Sequence, residues 1–151
     1  MTSSPKILLI EDNEDDAELT KIALRKTKRN DLVFWVKDGA EALDFLLGRG
    51  LYEAEHWRED LKLIFLDLKL PKQNGFEVLE VLKYTVHNFV IPICVLTSSN
   101  VESDIERAYQ LGANSYIVKP IDFKEHLESV NKAVNFWLRY ADQQNHLAAV
   151  S

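Results

Sequence analysis

Four short apolar runs end in residues equipped for chemistry. Ile7–Ile10 is followed by Glu11-Asp12, Leu63–Leu66 by Asp67, Ile91–Leu96 by Thr97, and Tyr116–Val118 by Lys119. Three carboxylates gathered at one place repel one another, and ionising all of them is costly without a cation. A hard divalent ion such as Mg²⁺ relieves that cost, because it prefers oxygen ligands and takes one or two carboxylates together with a phosphate. Lys119 adds a compact positive charge suited to pairing with Asp67 or with a phosphoryl oxygen. Thr97 offers one hydroxyl donor. Such a set fits phosphoryl transfer, which depends on positioning and charge neutralisation more than on elaborate acid–base chemistry. A carboxylate can itself be the nucleophile and form an acyl phosphate. Asp67 is the strongest candidate for that role, because its strand is apolar and central.

Each residue also has a plainer reading. The acidic stretch Asp12 to Asp16 suits the N-terminus of a helix, where carboxylates cap N–H groups and favour the dipole. Asp67 and Thr97 are ordinary strand-end residues, and Lys119-Pro120 is an ordinary turn. The weight lies in the set: acid pair, Asp, Thr and Lys in that order, each closing an apolar run.

Runs as short and branched as these, apolar on both faces, suit the central strands of a parallel sheet. Leu32–Val36 adds a strand nearer an edge, bounded by Asn30-Asp31 and Lys37-Asp38. Helical spacing of apolar residues predicts helices over Asp15–Lys28, Ala40–Leu47, Gly75–Val86, Glu102–Leu111 (stopped by Gly112) and Phe123–Asp142. Five β-α repeats predict an α/β fold, a doubly wound parallel sheet with helices on both faces. In such a sheet ligands bind beyond the carboxyl ends of the strands, which is where the acids, Thr97 and Lys119 fall. Residues 48–62 form a long connection with Tyr52, His56 and Trp57, expected to carry a short helix or a function of its own. Trp57 reads as a plug over the second helix or a partner contact. Residues 143–151 read as a frayed tail.

With 151 residues and 46% hydrophobic composition, the chain reads as a single domain with a buried core. The net charge of −6 disfavours unaided binding to nucleic acid or an anionic membrane. The start, Met1 to Lys6, lacks the apolar core of a signal peptide, and no apolar run approaches a membrane span. A cytoplasmic location is therefore expected. Cys94 lies in an apolar run and reads as a buried, inert thiol. His56, His87, His126 and His146 show no metal spacing and read as surface or structural residues.

These segments resemble the response-regulator receiver family. The matching stretches are Ile7-Leu8-Leu9-Ile10-Glu11-Asp12, Leu66-Asp67-Leu68-Lys69-Leu70-Pro71 with Asn74-Gly75, Val95-Leu96-Thr97-Ser98-Ser99, Gly112-Ala113-Asn114-Ser115-Tyr116 and Val118-Lys119-Pro120. The resemblance covers roughly residues 6–135. It implies a flavodoxin-like (βα)5 fold with strand order 2-1-3-4-5 and a core of about residues 6–142. It implies phosphoryl transfer to Asp67 from a phosphohistidine on a sensor histidine kinase. Mg²⁺ would be held by Asp12, Asp67 and the backbone carbonyl of Lys69, with Glu11 acting through water. Thr97 and Lys119 would each bond a phosphoryl oxygen, gaining partners absent beforehand. Tyr116 would turn inward as a switch. The Lys119–Pro120 bond is often cis in the family. Glu11 departs from the Asp found in many members, and Lys69 stands where phosphate lifetime is influenced. The long 48–62 connection and the turn Leu70-Pro71-Lys72-Gln73-Asn74-Gly75 look like the single-domain regulators paired with cyanobacterial phytochromes.

In the last helix, Leu127, Val130, Val134, Leu138 and Ala141 form one apolar stripe, with Trp137 at its margin. Phe136 and Tyr140 fall on the other side, which suggests homodimerisation through that helix. The chain would thus be a phospho-acceptor switch and not a conventional enzyme, passing its signal through a downstream protein or a phosphotransfer partner. Three alternatives are weaker. An aspartyl phosphatase of the haloacid dehalogenase type uses a second acid where Lys69 stands. A flavin or nucleotide carrier needs a glycine-bearing loop, whereas Glu11 to Asp16 is acidic and lacks glycine. A pseudo-receiver acting only by interaction would not need all five site residues.

Overall fold

The computed structural model describes residues 5–26, 33–54, 56–86 and 89–150, without the side chains of 57 and 142–150. Its strands are β1 (Ile7–Ile10), β2 (Val33–Val36), β3 (Leu63–Leu66), β4 (Ile93–Thr97) and β5 (Ser115–Val118). They form one parallel sheet in the order β2-β1-β3-β4-β5. The helices are α1 (Glu14–Arg25), α2 (Gly39–Leu47), α3 (Gly75–Thr85), α4 (Glu102–Gln110) and α5 (Phe123–Val150). The expected fold and strand order are therefore observed.

Alternation along the strands divides the core. Leu8, Ile10, Ile64, Leu66 and Val95 face α2 and α3, packing on Leu43, Phe45, Val78, Leu79 and Leu82. Ile7, Leu9, Phe65, Cys94 and Leu96 face α1 and α5, packing on Ala17, Leu24, Val130, Val134 and Leu138. The strands β1, β3 and β4 are buried on both faces, as their unbroken apolar composition requires.

β5 separates two readings: apolar composition grouped Tyr116–Val118 with the central strands, whereas the strand order implied by the resemblance put it at an edge, where it lies with Val118 exposed. A strand with only one neighbour and helices to either side needs no continuous burial. α5 runs to Val150, past the expected end at Asp142. Residues 27–32, 87 and 151, and the side chains of Trp57 and His146, lie outside the described residues, so the readings placed on them stay expectations. The Lys119–Pro120 bond is trans.

The long connection begins where Gly48 closes α2 in the left-handed region, at φ 64°. It then makes two single 3₁₀ turns, Gly50–Tyr52 and Trp57–Asp60. Among the described side chains Tyr52 anchors it. The ring is buried edge-on against Phe34 and Phe45, and its hydroxyl donates to Glu41 Oε1 at 2.9 Å.

Candidate functional site

The sheet's hydrogen-bond ladder runs one residue past the strands and sets the height of each functional group. Glu11 N donates to Val36 O at 3.1 Å, Asp67 N to Ile10 O at 3.0 Å, and Lys119 N to Thr97 O at 2.7 Å. Backbone bonds of this kind hold the side chains at one rim. Glu11, Asp67 and Thr97 are buried there, whereas Asp12 is exposed.

The five residues singled out from the sequence do meet. Oxygens of Glu11, Asp12 and Asp67 all lie within 4.8 Å of one another. Thr97 Oγ1 donates to Asp67 Oδ1 at 2.9 Å, and the Lys69 N–H donates to the same oxygen at 3.1 Å. The Lys119 ammonium donates to Glu11 Oε1 at 2.5 Å, Asp16 Oδ2 at 2.8 Å and Asp67 Oδ2 at 3.0 Å. One expectation changes as a result: Thr97 and Lys119 already have carboxylate partners without a phosphoryl group, because buried polar groups must be paired. The other oxygen of Glu11 accepts from Asn13 N at 3.3 Å.

The charge balance of the pocket is uneven. Burial, the hydrogen bond to Asp67 and the Asp67 charge together push Glu11 up to about 8, against the pull of Lys119. Burial also opposes ionised Asp67, but the hydrogen bond from Glu11 and the Lys119 ammonium outweigh it and hold Asp67 below the ordinary 3.8. One ammonium therefore does not keep both buried acids ionised, and Glu11 holds its proton while no second cation is near. An all-oxygen cluster whose acids cannot all ionise unaided, with one face open to solvent through Asp12, fits a hard divalent cation.

Three contributors were not legible in advance. Asp16 joins through Lys119. Trp35, on β2, donates from Nε1 to the Glu11 carbonyl at 2.6 Å, while the Lys21 and Lys37 ammoniums lie 4.3 and 4.8 Å from its ring centre. His126 is buried in the first turn of α5, with Nε2 3.2 Å from Thr20 Oγ1. A pattern read along the chain carries no signal for such cross-element pairings. Tyr116, half-buried, donates to the Ser99 carbonyl at 2.9 Å and so fixes the loop after β4. Phe136 and Tyr140 are exposed on either side of Trp137, edge-on to it at 4.8 and 5.8 Å. Trp137 itself donates to Ser115 Oγ at 3.2 Å. Among the described residues no helix is long and apolar enough to cross a membrane.

Known proteins are similar to this chain in sequence and fold. The sequence pattern of the response regulator receiver domain matches residues 7–131. The probable methanogenesis regulatory protein FilR2 of Methanothrix harundinacea is 37% identical over 132 residues, covering 87% of this chain and 83% of that protein. Response regulator Rcp1 of Synechocystis is 36% identical over 138 residues, covering 91% and 92%. The crystal structure of the Mn²⁺-bound form of Rcp1 matches with a TM-score of 0.79 at 35% identity, over 89% of this chain and 95% of that one. The crystal structure of the phosphorylated cyanobacterial phytochrome response regulator RcpA matches with a TM-score of 0.81 at 37% identity, over 90% and 95%.

Proposed function

The chain belongs to the response regulator receiver family, and we propose that it is the phospho-acceptor of a two-component phosphorelay, with Asp67 taking a phosphoryl group from a phosphohistidine of a sensor histidine kinase. The observation that carries this reading is the convergence of Glu11, Asp12, Asp67, Thr97 and Lys119 at one rim of the sheet. An Asp67 carboxylate oxygen forms the new P–O bond as the P–N bond to the kinase imidazole breaks, and the imidazole nitrogen leaves with the electron pair. Low protonation of Asp67 keeps that oxygen nucleophilic. Glu11, Asp12 and Asp67, with the Lys69 carbonyl, would hold Mg²⁺, which when bound neutralises charge on the transferred phosphoryl oxygens.

Thr97 and Lys119 then exchange partners rather than acquire them. Each now spends a donor on Asp67, and the acyl phosphate brings about −2 charge and stronger acceptors. Their transfer to phosphoryl oxygens pulls on the end of β4 and on the Ser99 loop that Tyr116 holds. That couples the site to the α4–β5 face, whose altered packing is the output, read by a downstream protein or a phosphotransfer partner. The likeness to RcpA, a phytochrome response regulator, supports a phytochrome-like photoreceptor kinase upstream and a cytoplasmic location. The exposed Phe136 and Tyr140 support a homodimer through α5.

Incubation with Mg²⁺ and acetyl phosphate tests the core of the proposal. The expected product is an acid-stable, base-labile adduct that is missing in Asp67→Asn. A wild-type chain that forms none acts by interaction alone. Transfer from phosphorylated candidate kinases then identifies the partner.

A further inference from the structure

Asp16 stands third in α1, a position from which an acidic side chain commonly turns back to the N-cap N–H. α3 has that arrangement: Glu77 N donates to Asn74 Oδ1 at 3.0 Å, and Asn74 N donates to Glu77 Oε1 at 3.3 Å. α1 begins the same way, with Asp16 N donating to Asn13 Oδ1 at 2.9 Å. Its return bond differs. Asn13 N donates to Glu11 Oε2, so the end of β1 supplies the carboxylate that Asp16 would have supplied. The Asp16 carboxylate is thereby released from capping, and it reaches Lys119 at 2.8 Å.

An ammonium has three N–H donors, and those of Lys119 go to three different carboxylates. Two of these, Glu11 and Asp67, belong to the acidic trio that fits a cation; Asp16 does not. A divalent ion on the trio would repel the ammonium and compete for the same oxygens. Two of the three partners of Lys119 would weaken together. Asp16 would remain, on a helix whose placement is fixed one turn further on by buried Thr20 against buried His126 of α5.

We propose that Asp16 is a positioning residue, whose carboxylate keeps the Lys119 ammonium at the site while the acidic trio is engaged by the cation, so that Lys119 stays within reach of the incoming phosphoryl group. This rests on the phospho-acceptor reading. Loss of Asp16 would leave Lys119 two choices, both harmful: to compete harder for Glu11 and Asp67, or to leave for solvent.

A double-mutant cycle of Asp16→Asn and Lys119→Met separates this role from a plain charge effect. Calorimetric titration with Mg²⁺ should find that Asp16→Asn weakens affinity by about fivefold or more when Lys119 is present, and by less than about twofold in the Lys119→Met background, where no ammonium remains to be held. A second readout needs no phosphoryl transfer: acylation of the Lys119 amine by acetic anhydride, followed by peptide mass spectrometry with the chain at saturating Mg²⁺. Asp16→Asn should speed it by about fivefold or more, because a side chain without this carboxylate partner more readily gives up its proton and meets the reagent as the neutral amine. Equal fold-changes in both backgrounds, or unchanged acylation, would overturn the role of Asp16. Failure of the wild-type chain to form the Asp67 adduct would instead overturn the phospho-acceptor reading.

Discussion

Thr97 Oγ1 donates to Asp67 Oδ1 at 2.9 Å across two adjacent strand ends, both groups being buried. The bond ties the proposed acceptor to the loop that Tyr116 braces. A hydrogen bond to an ionised group contributes about 1.5–3 kcal/mol. Thr97→Val keeps the shape and deletes the donor, leaving Oδ1 with the Lys69 N–H. We expect Thr97→Val to lose about 1–2 kcal/mol in urea denaturation and to slow adduct formation from acetyl phosphate by about tenfold. Thr97→Ser, which retains the hydroxyl, should keep most of both.

Gly75 makes a separate prediction about the same site. A Cβ built there would sit 2.5 Å from the Asp67 carbonyl oxygen and 2.6 Å from Leu68 Cα. Both obstacles are backbone, so neither can step aside, and Gly75 N already donates to Leu68 O at 2.9 Å. Gly75→Ala must push the end of β3 away from α3 and move Asp67 with it. A loss of about 2–3 kcal/mol is expected from such overpacking. Thermal unfolding measures the first effect and Mg²⁺ titration the second; an unchanged melt would mean that the backbone of residues 67 and 68 does not press on Gly75.

Buried His126 makes stability depend on pH. Burial pushes its pKa below the ordinary 6.5; the Asp16 carboxylate pulls the other way, and the Lys119 ammonium adds to the lowering. The folded chain thus keeps a neutral imidazole where the unfolded chain has begun to take up a proton. The contribution of this group is complete above 6.5 and is lost as pH falls through 6.5 toward the lower folded value. Other groups facing it titrate too, so the comparison is with His126→Asn. Moving from about pH 7.5 to about pH 5.5 should lower the urea midpoint of the wild type more than that of the variant. Parallel declines would remove His126 as the cause.

What could be read along the chain was whatever the backbone delivers in order. β1, β3 and β4 are apolar because both faces are covered, and the polar residue that closes each run is at the rim by construction, which is why Glu11, Asp67 and Thr97 were legible. Composition alone misplaced β5, because the run Tyr116–Val118 is apolar while lying at an edge; the strand order implied by the resemblance placed it correctly. Asp16, Trp35 and His126 were not legible for a different reason. An acid in a first helical turn, a strand tryptophan and a lone histidine each have an adequate local explanation. Their partners, Lys119, the Glu11 carbonyl and Thr20, come from distant elements.

The aromatic face of α5 supplies the last prediction. Leu127, Val130, Val134 and Leu138 turn into the core, so the helix needs no other apolar side. Phe136 at 61% exposure and Tyr140 at 44% nevertheless flank Trp137 on its outer surface. Beside them a groove of about 530 Å³ runs between β5 and α5, lined by Ser115, Ile117, Lys132 and Ala133. Aromatic anchors set next to a groove are the usual energetic centre of a protein interface. A symmetric dimer would bring the Phe136 of each copy to the same patch of the other. Sedimentation equilibrium should therefore give a mass above the monomer for the wild type. The double variant Phe136→Ala/Tyr140→Ala should dissociate about a hundredfold more readily, equivalent to about 2.7 kcal/mol. A wild type that sediments as a monomer, or a variant of equal mass, would leave the aromatic face without this role.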